Sequence, residues 1–354
     1  MTPPVALAHD VLAARAGGER VLFALADLYP AAPIHTLIFE AEATFGQLRS
    51  DRVQPSVLNR LGWLRRHYRQ AVPVAALTFA AQKVDAAVTI CSTSGLSHHV
   101  RTSGAKIVYC HTPARWLHDS DNYLDGYRRP VRSIATAMAP AYRRLDRRAM
   151  WNTDIVVANS QYIADQIREV YGLTARVVAP CSTFDLEGPV EALSGVEPGF
   201  VLSPVRPLGY KRLDLLVAAA KRHPELSFVH IGDGPHAAAF RAQAPANVQS
   251  FGAVSDAQLR WAYRHSRVVA LTCAEDFGLV PLEAAAHGVH TAAPSARGLL
   301  DHDLSMVLPY EFGSLDGLVE AINKAPDPTG IHDVSRLGRK RFGDAIAALV
   351  DELR

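Results

Sequence analysis

The sequence predicts an α/β protein made of two doubly wound domains, each with a parallel sheet covered by helices on both faces. Three observations support this class. The chain has 354 residues, which suits about two domains at roughly 150 residues each. Short apolar runs alternate with helical patterns along most of the chain. The alternation restarts after residues 181–199, a stretch of poor periodicity that we interpret as a linker.

The first domain is predicted to occupy residues 1–185. Its predicted strands are Val5–Asp10, Ile34–Phe39, Ala86–Cys91, Ile107–Cys110 and Ile155–Ala158. These runs are almost continuously apolar, as is typical of strands buried on both faces. One helix follows Gly17–Glu19 and ends near Leu28. Another covers Gln161–Tyr171, with Asn159 or Ser160 placed to cap it.

The second domain is predicted to occupy residues 196–330. Its predicted strands are Phe200–Pro204, Ser227–Ile231, Val248–Phe251 and Val268–Thr272. Residues 333–354 are predicted to form a final amphipathic helix, because apolar residues recur there at helical spacing. In folds of this class, ligands bind at the carboxyl ends of the strands, so we expect the site in a cleft between the domains.

Composition excludes several classes of protein. Apolar residues make up 49% and charged residues 20% of the chain, which excludes a disordered chain and a coiled coil. With 37 Lys and Arg against 35 Asp and Glu, the net charge of +2 argues against a nucleic-acid partner. The four cysteines form no CxxC pair, which argues against a disulfide scaffold and a zinc ribbon.

Missing motifs narrow the chemistry and the location. The sequence lacks the patterns of P-loop NTPases, nicotinamide dehydrogenases, zinc proteases and serine hydrolases. The first residues have no basic region before an apolar core, and the run Ala71–Ala81 is too short to span a bilayer. We therefore expect a cytoplasmic protein, with peripheral contact at the inner face of a membrane left open.

Two cations and two carboxylates stand near predicted strand ends in the second domain. Arg206 follows a predicted strand, and Lys211 comes five residues later, where the next helix is predicted to start. Cationic side chains and helix N-terminal amides both favour a diphosphate. Glu275 and Glu283 flank a turn whose amides can face a phosphate, and carboxylates suit the vicinal hydroxyls of a sugar. Each residue alone also suits a solvated surface, but their conjunction favours a site.

These residues resemble the signatures of a known family. Glu275 to Glu283 resembles the E-x7-E signature of retaining glycosyltransferase family 4, and Arg206 with Lys211 resembles its R-x4-K pair. His9-Asp10 and the glycines that follow resemble its N-terminal glycine-rich loop. The segment Tyr109–Trp116 resembles the HTPxRY segment of the mannosyltransferase-like branch, which assembles bacterial polysaccharides and glycolipids. The resemblance covers about residues 4–320.

The resemblance implies a GT-B fold, with two Rossmann-like doubly wound domains facing a central cleft. The first domain would bind mainly the acceptor, the second would bind the nucleotide-sugar, and the helix at 333–354 would pack back on the first domain. Arg206 and Lys211 would stabilise the departing diphosphate. Glu275 would hold hydroxyls of the transferred sugar, and Glu283 would hold the ribose. The other donor-binding residues would be Gly232, Gly234, Phe277, Gly278, Leu279 and Val280.

The resemblance also implies roles for the first domain. His111 would lie over the reacting sugar as a catalytic residue, although a core imidazole satisfied by its neighbours is the alternative. Gly17 and Gly18 would let the backbone approach the diphosphate. The acceptor would be contacted by His9, Asp10 and Arg115.

The implied function is transfer of a hexose to a glycan or lipid-linked acceptor, and mannose from GDP-mannose is favoured. The alternatives are a UDP- or dTDP-sugar donor carrying glucose, GlcNAc or a deoxysugar, and a non-catalytic sugar-nucleotide-binding partner of a glycan assembly complex. We expect no cofactor and no metal, and interpret Asp119-Ser-Asp121 as a loop rather than a metal motif. The segment Arg60–Arg69 mixes cations with aromatics, which suits either an anionic membrane surface or a solvated helix.

Overall fold

The structure is a computed structural model. It describes residues 4–14, 17–46, 48, 50–66, 72–119, 129–182, 187–301, 305–328 and 338–354. The chain divides into two compact units. The first combines Met1–Thr183 with Arg336–Arg354, and the second is Phe184–Ser335.

The described residues of the first unit form a parallel sheet of seven strands, with a separate pair beside it. The strands in chain order are β1 (Val5–His9), β2 (Ile34–Thr36), β3 (Val53–Pro55), β4 (Lys83–Val84), β5 (Val88–Thr93), β6 (Arg101–Thr102), β7 (Ala105–Cys110), β8 (Ile155–Ala158) and β9 (Arg176–Val177). The large sheet has the order β3-β2-β1-β5-β7-β8-β9, and β4 pairs with β6. The order reverses between β1 and β5, which makes this the topological switch point.

Both faces of the first sheet are buried, which explains its apolar strands. In β1, Ala6 and Ala8 belong to one apolar cluster, whereas Val5 and Leu7 belong to the cluster on the opposite face. The predicted strand Ile34–Phe39 is shorter in the structure and ends at Thr36. Beyond Thr36 the chain crosses to the segment after β1, where the amide of Leu37 donates to the carbonyl of Asp10.

Helices cover this sheet. They are α1 (Gly17–Leu28), α2 (Gly62–Arg66), α3 (Val72–Ala81), α4 (Arg115–His118), α5 (Arg129–Trp151) and α6 (Gln161–Tyr171). Of the two caps considered for α6, Ser160 is the one that caps it, because its hydroxyl accepts the amide of Ile163 at 3.2 Å. Short 3₁₀ turns lie at Ser50–Arg52, Val57–Arg60 and Ser97–His99.

The second unit repeats the architecture. Its strands are β10 (Phe200–Ser203), β11 (Phe228–Ile231), β12 (Val248–Phe251), β13 (Ser266–Ala270), β14 (Thr291–Pro294) and β15 (Val307–Tyr310). Its helices are α7 (Leu213–Arg222), α8 (Ala237–Gln243), α9 (Asp256–His265), α10 (Leu279–Ala286) and α11 (Leu315–Lys324), with 3₁₀ turns at Gly209–Lys211 and Arg297–Asp301. The strand order is β12-β11-β10-β13-β14-β15, and the switch point lies between β10 and β13.

The last helix, α12 (Arg339–Asp351), belongs to the first unit. Its buried residues Phe342, Ile346 and Leu349 join the apolar cluster that also holds Leu25 of α1. The ring of Phe342 meets Tyr109 edge-on, with centroids 5.8 Å apart. Residues 333–337, where this helix is predicted to begin, lie outside the described residues. In the described part of the chain, no helix is long and apolar enough to cross a membrane.

Candidate active site

An ion pair lies where two neighbouring strands of the second sheet end. Lys211 closes the 3₁₀ turn after β10, and Glu275 follows β13. The Lys211 Nζ and the Glu275 Oε1 are 2.7 Å apart, and the two side chains are 15% and 24% exposed. Because β10 and β13 pair at the switch point, their carboxyl ends bring these two groups together. The pair therefore lies, partly exposed, at the position where doubly wound sheets bind ligands.

The neighbours of this pair keep it charged. Burial alone would lower the pKa of Lys211, but the Glu275 carboxylate outweighs burial and raises that pKa above its usual value. The Thr272 hydroxyl donates to the Lys211 carbonyl at 2.6 Å, and the Cys273 thiol donates to Glu275 Oε1 at 3.1 Å. Burial raises the pKa of the Cys273 thiol, so this thiol stays protonated as a donor. Neither Thr272 nor Cys273 was predicted from the sequence as a site residue.

The sequence predicted that Lys211 stands at the start of a helix. In the structure it lies in a 3₁₀ turn before that helix. The helix α7 begins two residues later, at Leu213, after Arg212 has taken a left-handed conformation with φ of 51°. This turn redirects the chain between the 3₁₀ turn and α7. The ammonium of Lys211 therefore acts through its own contact with Glu275 and not through the N-terminus of α7.

Arg206 lies on the loop after β10, and two predicted glycines pack against that loop. The Arg206 Nε donates to the carbonyl of Asp233 at 3.3 Å. A Cβ at Gly232 would lie 2.7 Å from the Val205 carbonyl oxygen, and one at Gly234 would lie 2.8 Å from that of Pro207. The two glycines are thus required for close packing of the β11 turn against the Arg206 loop. They thus pack beside the loop segment that carries Arg206.

The turn before α10 is built around Gly278. This residue has φ of 93°, and a Cβ on it would lie 2.6 Å from Leu299, so a glycine is needed there. Gly278 precedes α10 and offers no side chain to cap it. The helix therefore starts at Leu279 with first-turn amides that can face an anion. Phe277 is buried directly before this turn.

Glu283 is buried on α10, with 6% of its surface exposed. The hydroxyl of Tyr263, on α9, donates to Glu283 Oε2 at 3.1 Å. Tyr263 is fully buried and was not anticipated from the sequence. This hydrogen bond fixes one carboxylate oxygen of Glu283 within the unit.

At the carboxyl end of the first sheet, a serine bridges two histidines. The Ser92 Oγ, at the end of β5, is 3.1 Å from His9 Nδ1 and 2.8 Å from His111 Nε2. Burial, and to a smaller extent the neighbouring His9, lower the pKa of His111 to about 3, so its imidazole is neutral near pH 7. A Cβ at Gly18, in the first turn of α1, would lie 3.7 Å from both rings. The predicted residues His9, Gly18 and His111 thus form one group, and Gly17 is exposed beside it at the start of α1.

The carboxylate of Asp10 holds the loop that follows β5. Its oxygens accept the amides of Ser94 and Ser97 at 2.8 and 2.7 Å and the Thr93 hydroxyl at 3.2 Å. Asp10 was predicted to contact the acceptor. In the structure its oxygens hold the loop after β5 through these hydrogen bonds, so Asp10 sets the conformation of that loop.

Arg115 starts α4, in the segment after β7. Its Nε donates to the Thr112 hydroxyl at 3.4 Å. The His111 carbonyl in the same segment accepts the side-chain amide of Asn159 at 3.1 Å, which ties the end of β7 to the end of β8. Asp119 lies just after α4. Asp121, the second aspartate of the triplet, lies outside the described residues.

Models of two protein families match this chain. The model described as Glycosyltransferase Family 4 matches residues 15–187, and the one described as Glycosyl transferases group 1 matches residues 200–325. The chain is a glycosyltransferase of the family 4 type. The charged carboxyl end of the second sheet lies within the second match, and the histidine–serine group lies largely within the first. No curated protein sequence matches this glycosyltransferase.

Solved structures resemble this glycosyltransferase in fold. HepE from Anabaena, in complex with UDP and glucose, has a TM-score of 0.64 at 16% identity, covering 99% of this chain and 95% of that one. Sucrose-phosphate synthase from Thermosynechococcus elongatus has a TM-score of 0.68 at 16% identity, covering 98% of each chain. The lipopolysaccharide outer core galactosyltransferase WaaB has a TM-score of 0.56 at 16% identity, covering 98% of this chain and 99% of that one. The enzyme therefore has the GT-B fold, with two Rossmann-like domains.

Proposed function

We propose that this glycosyltransferase moves a hexose, with retention of anomeric configuration, from a nucleotide-diphosphate sugar to a glycan or lipid-linked acceptor. The proposal rests on the Lys211–Glu275 pair at the switch point of the second sheet. A cation can bind the diphosphate while the adjoining carboxylate accepts two sugar hydroxyls. Arg206, on the same side of the sheet, would supply a second cation.

The ion pair does not need to break when the donor binds. A lysine ammonium has three N–H donors, and Glu275 Oε1 needs one of them at 2.7 Å. A phosphate oxygen can therefore share Lys211 with Glu275. The pair would then touch both parts of the donor, because the ammonium faces the diphosphate and the carboxylate faces the sugar.

In the transfer, the bond between the anomeric carbon and the diphosphate oxygen breaks, and the acceptor oxygen bonds to that carbon. The acceptor hydroxyl proton passes to the leaving diphosphate oxygen, which lies on the same face of the sugar. Negative charge grows on the diphosphate as the bond breaks. Arg206, Lys211 and the first-turn amides of α10 would stabilise that charge, and Glu283 would hold the ribose while Tyr263 holds its Oε2.

GDP-mannose is the donor we propose, because the Tyr109–Trp116 segment resembles the mannosyltransferase-like branch. A UDP-hexose or a dTDP-sugar is the alternative. The ligands of the HepE structures, UDP with glucose and UDP-glucose, support the uridine alternative. A non-catalytic sugar-nucleotide-binding partner is disfavoured, since Arg206, Lys211, Glu275 and Glu283 are all present.

We propose that the acceptor is bound by the first unit, at the loops that carry His9, Asp10 and Arg115. A lipid-linked acceptor would bring this unit to a membrane surface. Val57, Leu61 and Trp63 are 69%, 54% and 54% exposed and would give that surface an apolar contact. The segment also carries cations for anionic headgroups, although residues 67–70 lie outside the described residues. Sedimentation with anionic vesicles tests this contact, and Trp63→Ala should weaken it.

A donor panel tests the proposed function. GDP-mannose, UDP-glucose, UDP-GlcNAc and dTDP-glucose are each incubated with the enzyme and a crude lipid and glycan extract, and release of nucleotide is measured. We expect turnover with GDP-mannose and a product that keeps the donor's anomeric configuration by NMR. Turnover with a uridine donor alone would overturn the mannose assignment and keep the reaction class. Selective binding of one donor without any turnover would support the non-catalytic alternative.

A further inference from the structure

A buried carboxylate in the first unit is surrounded by three histidines that the proposed function does not use. Asp146, on α5, has a side chain that is fully buried. His98 and His99 come from the 3₁₀ turn after β5, and His118 ends α4. Among the described residues, no lysine or arginine forms an ion pair with Asp146. An ionised carboxylate without such a partner needs other compensation in the interior.

The two oxygens of Asp146 have different surroundings. Oδ2 accepts the hydroxyl of Tyr171 at 2.8 Å and lies 3.0 Å from His118 Nε2. Oδ1 faces two imidazole nitrogens, His98 Nε2 at 2.9 Å and His99 Nε2 at 3.6 Å. One oxygen is therefore held by a hydroxyl and an imidazole, while the other shares its space with two nitrogens.

His98 lies between Asp146 and the Thr93 hydroxyl. Its Nε2 is 2.9 Å from Asp146 Oδ1, and its Nδ1 is 3.1 Å from Thr93 Oγ1. Thr93 Oγ1 also accepts two backbone amides of the same loop, at 3.0 and 3.1 Å. The imidazole is thus held at both ring nitrogens, which keeps Nε2 directed at the carboxylate.

His99 has no hydrogen-bond partner for either ring nitrogen, although its side chain is 1% exposed. Its Nε2 is too far from Asp146 Oδ1 for a good hydrogen bond. A buried imidazole in this condition is costly and uncommon, unless a ligand is coordinated there. His99 is therefore the second, independent sign that a cation belongs at this place.

We propose that His98, His99 and Asp146 bind a divalent transition metal, with Zn²⁺ the expected ion. Imidazole nitrogens and a monodentate carboxylate are typical zinc ligands. The three ligand atoms lie within 4.8 Å of one another. The separations of 2.9 and 3.6 Å from Asp146 Oδ1 lie on either side of the roughly 3.3 Å between two tetrahedral ligands at ~2.0–2.1 Å from zinc.

The surrounding contacts match what a metal site needs outside its ligands. Thr93 would hold the ring of His98 at its Nδ1, and Tyr171 with His118 would orient the carboxylate through its second oxygen. The metal would join the turn Ser97–His99 to α5. Because the amide of Ser97 holds Asp10, the metal would position the loop on which the proposed acceptor surface depends.

Elemental analysis of the full chain, prepared without a histidine tag, tests the site. We expect about one zinc per chain. His99→Gln should lower the zinc content more than tenfold and lower the melting temperature by several degrees. His230→Gln is the matched control, since His230 is a buried histidine of the second unit with its own partners, Ser250 and the Val205 carbonyl. It should leave the zinc content unchanged.

Cobalt substitution provides a readout that does not depend on a variant folding. Wild-type protein freed of metal by a chelator should bind one Co²⁺ and show the visible absorption of a four-coordinate nitrogen–oxygen site, and Zn²⁺ should displace it. Wild-type protein that contains no zinc and binds neither ion stoichiometrically would overturn the proposal. Zinc content that is equal in wild type and in folded His99→Gln would overturn it as well. None of these readouts uses a sugar donor, so they are independent of the proposed function.

Discussion

Where the first sheet ends, polar groups satisfy one another, whereas the second sheet ends in a charged pair that can still accept a ligand. Ser92 bridges His9 and His111, and Asp10 takes two backbone amides and a hydroxyl. Lys211 and Glu275 instead meet in a partly exposed contact after β10 and β13. Both groups lie at switch points, so the same topology supports two kinds of chemistry.

This difference indicates how the two units divide the proposed reaction. A departing diphosphate gains negative charge, which fixed cations and helix N-terminal amides stabilise. The neutral His111 supplies no cation near pH 7, whereas Lys211 is protonated at that pH. The first unit is therefore suited to orient a neutral hydroxyl. If this comparison is correct, variants of the two units should affect different steps.

The largest effect is expected at the second sheet. Lys211→Ala should reduce turnover at saturating donor by about 10²-fold or more, because the preorganised cation that stabilises the leaving diphosphate is lost. Arg206→Ala should have a similar effect. Both should also slow donor hydrolysis without acceptor, since bond breaking is the step affected. Steady-state kinetics with and without acceptor measure this.

The matched control is Lys221→Ala, which removes an exposed lysine from α7 of the same unit. Turnover of this variant should equal that of wild type. Near wild-type turnover in both Lys211→Ala and Arg206→Ala would mean that the diphosphate binds elsewhere, and the comparison between the two sheets would then fail.

The next effect is expected at Asp10. Asp10→Asn removes the charge that accepts the amides of Ser94 and Ser97, and hydrogen bonds to a charged group contribute about 1.5–3 kcal/mol each. We expect a lower free energy of unfolding and an acceptor KM that rises about tenfold, by loss of roughly 1.4 kcal/mol in binding. Donor hydrolysis should stay as in wild type. If donor hydrolysis falls as far as acceptor transfer, Asp10 acts on the donor and the division of labour is wrong.

The charged group of the second sheet could be predicted because Arg206 and Glu275 come soon after predicted strands and Lys211 stands where the next helix is predicted to start. Arg206, Lys211 and Glu275 needed no knowledge of which strands are neighbours. Thr272 and Ser92 could not be found in this way, since each matters only through a contact between chain segments far apart in sequence. Long-range pairing depends on the assembled sheet, and a single sequence holds no local signal for it.

The fold was predictable where strands are continuous apolar runs. The missed strands β3, β4, β6 and β9 have two or three residues, too few for a periodic pattern, and the missed strands β14 and β15 have four residues each and contain a proline. The long helix α5 carries Arg143, Arg144, Arg147 and Arg148, a pattern typical of a solvated basic face. In the structure, the Arg143 Nε donates to the Leu117 carbonyl at 2.9 Å, so part of that basic face packs on α4.

A smaller effect is expected at Tyr263, which positions Glu283. Tyr263→Phe removes the hydroxyl 3.1 Å from Glu283 Oε2 and keeps the ring. Loss of one hydrogen bond to a carboxylate should raise the donor KM about three- to tenfold, and kcat should change little. Calorimetry with the nucleoside diphosphate alone should show the same loss, because the ribose is present without the sugar. An unchanged affinity would assign Glu283 to the core of the unit and not to the ribose.

The pH dependence of stability should distinguish the neutral histidine group from the charged pair. The pKa of His111 is about 3 in the folded protein and about 6.5 in an unfolded chain. Between these values the unfolded state binds a proton that the folded state does not, so stability falls as the pH decreases. From pH 7 to pH 5, wild type should lose about 1–2 kcal/mol more than His111→Gln. Urea denaturation at both pH values measures this, and an equal loss in the two proteins would show that His111 is not buried in its neutral form.

The smallest effect is expected for Asp119. If cationic side chains and the amides of α10 stabilise the diphosphate, the reaction needs no added divalent cation. Asp119→Asn should therefore change turnover less than about twofold, within the range of most surface substitutions. Adding Mg²⁺ or Mn²⁺ to the wild type should likewise have little effect, and the buried histidines around Asp146 would already hold their own ion. Turnover that requires Mn²⁺ and is lost in Asp119→Asn would instead place a metal on the diphosphate. The cationic group of the second sheet would then be an accessory to that metal.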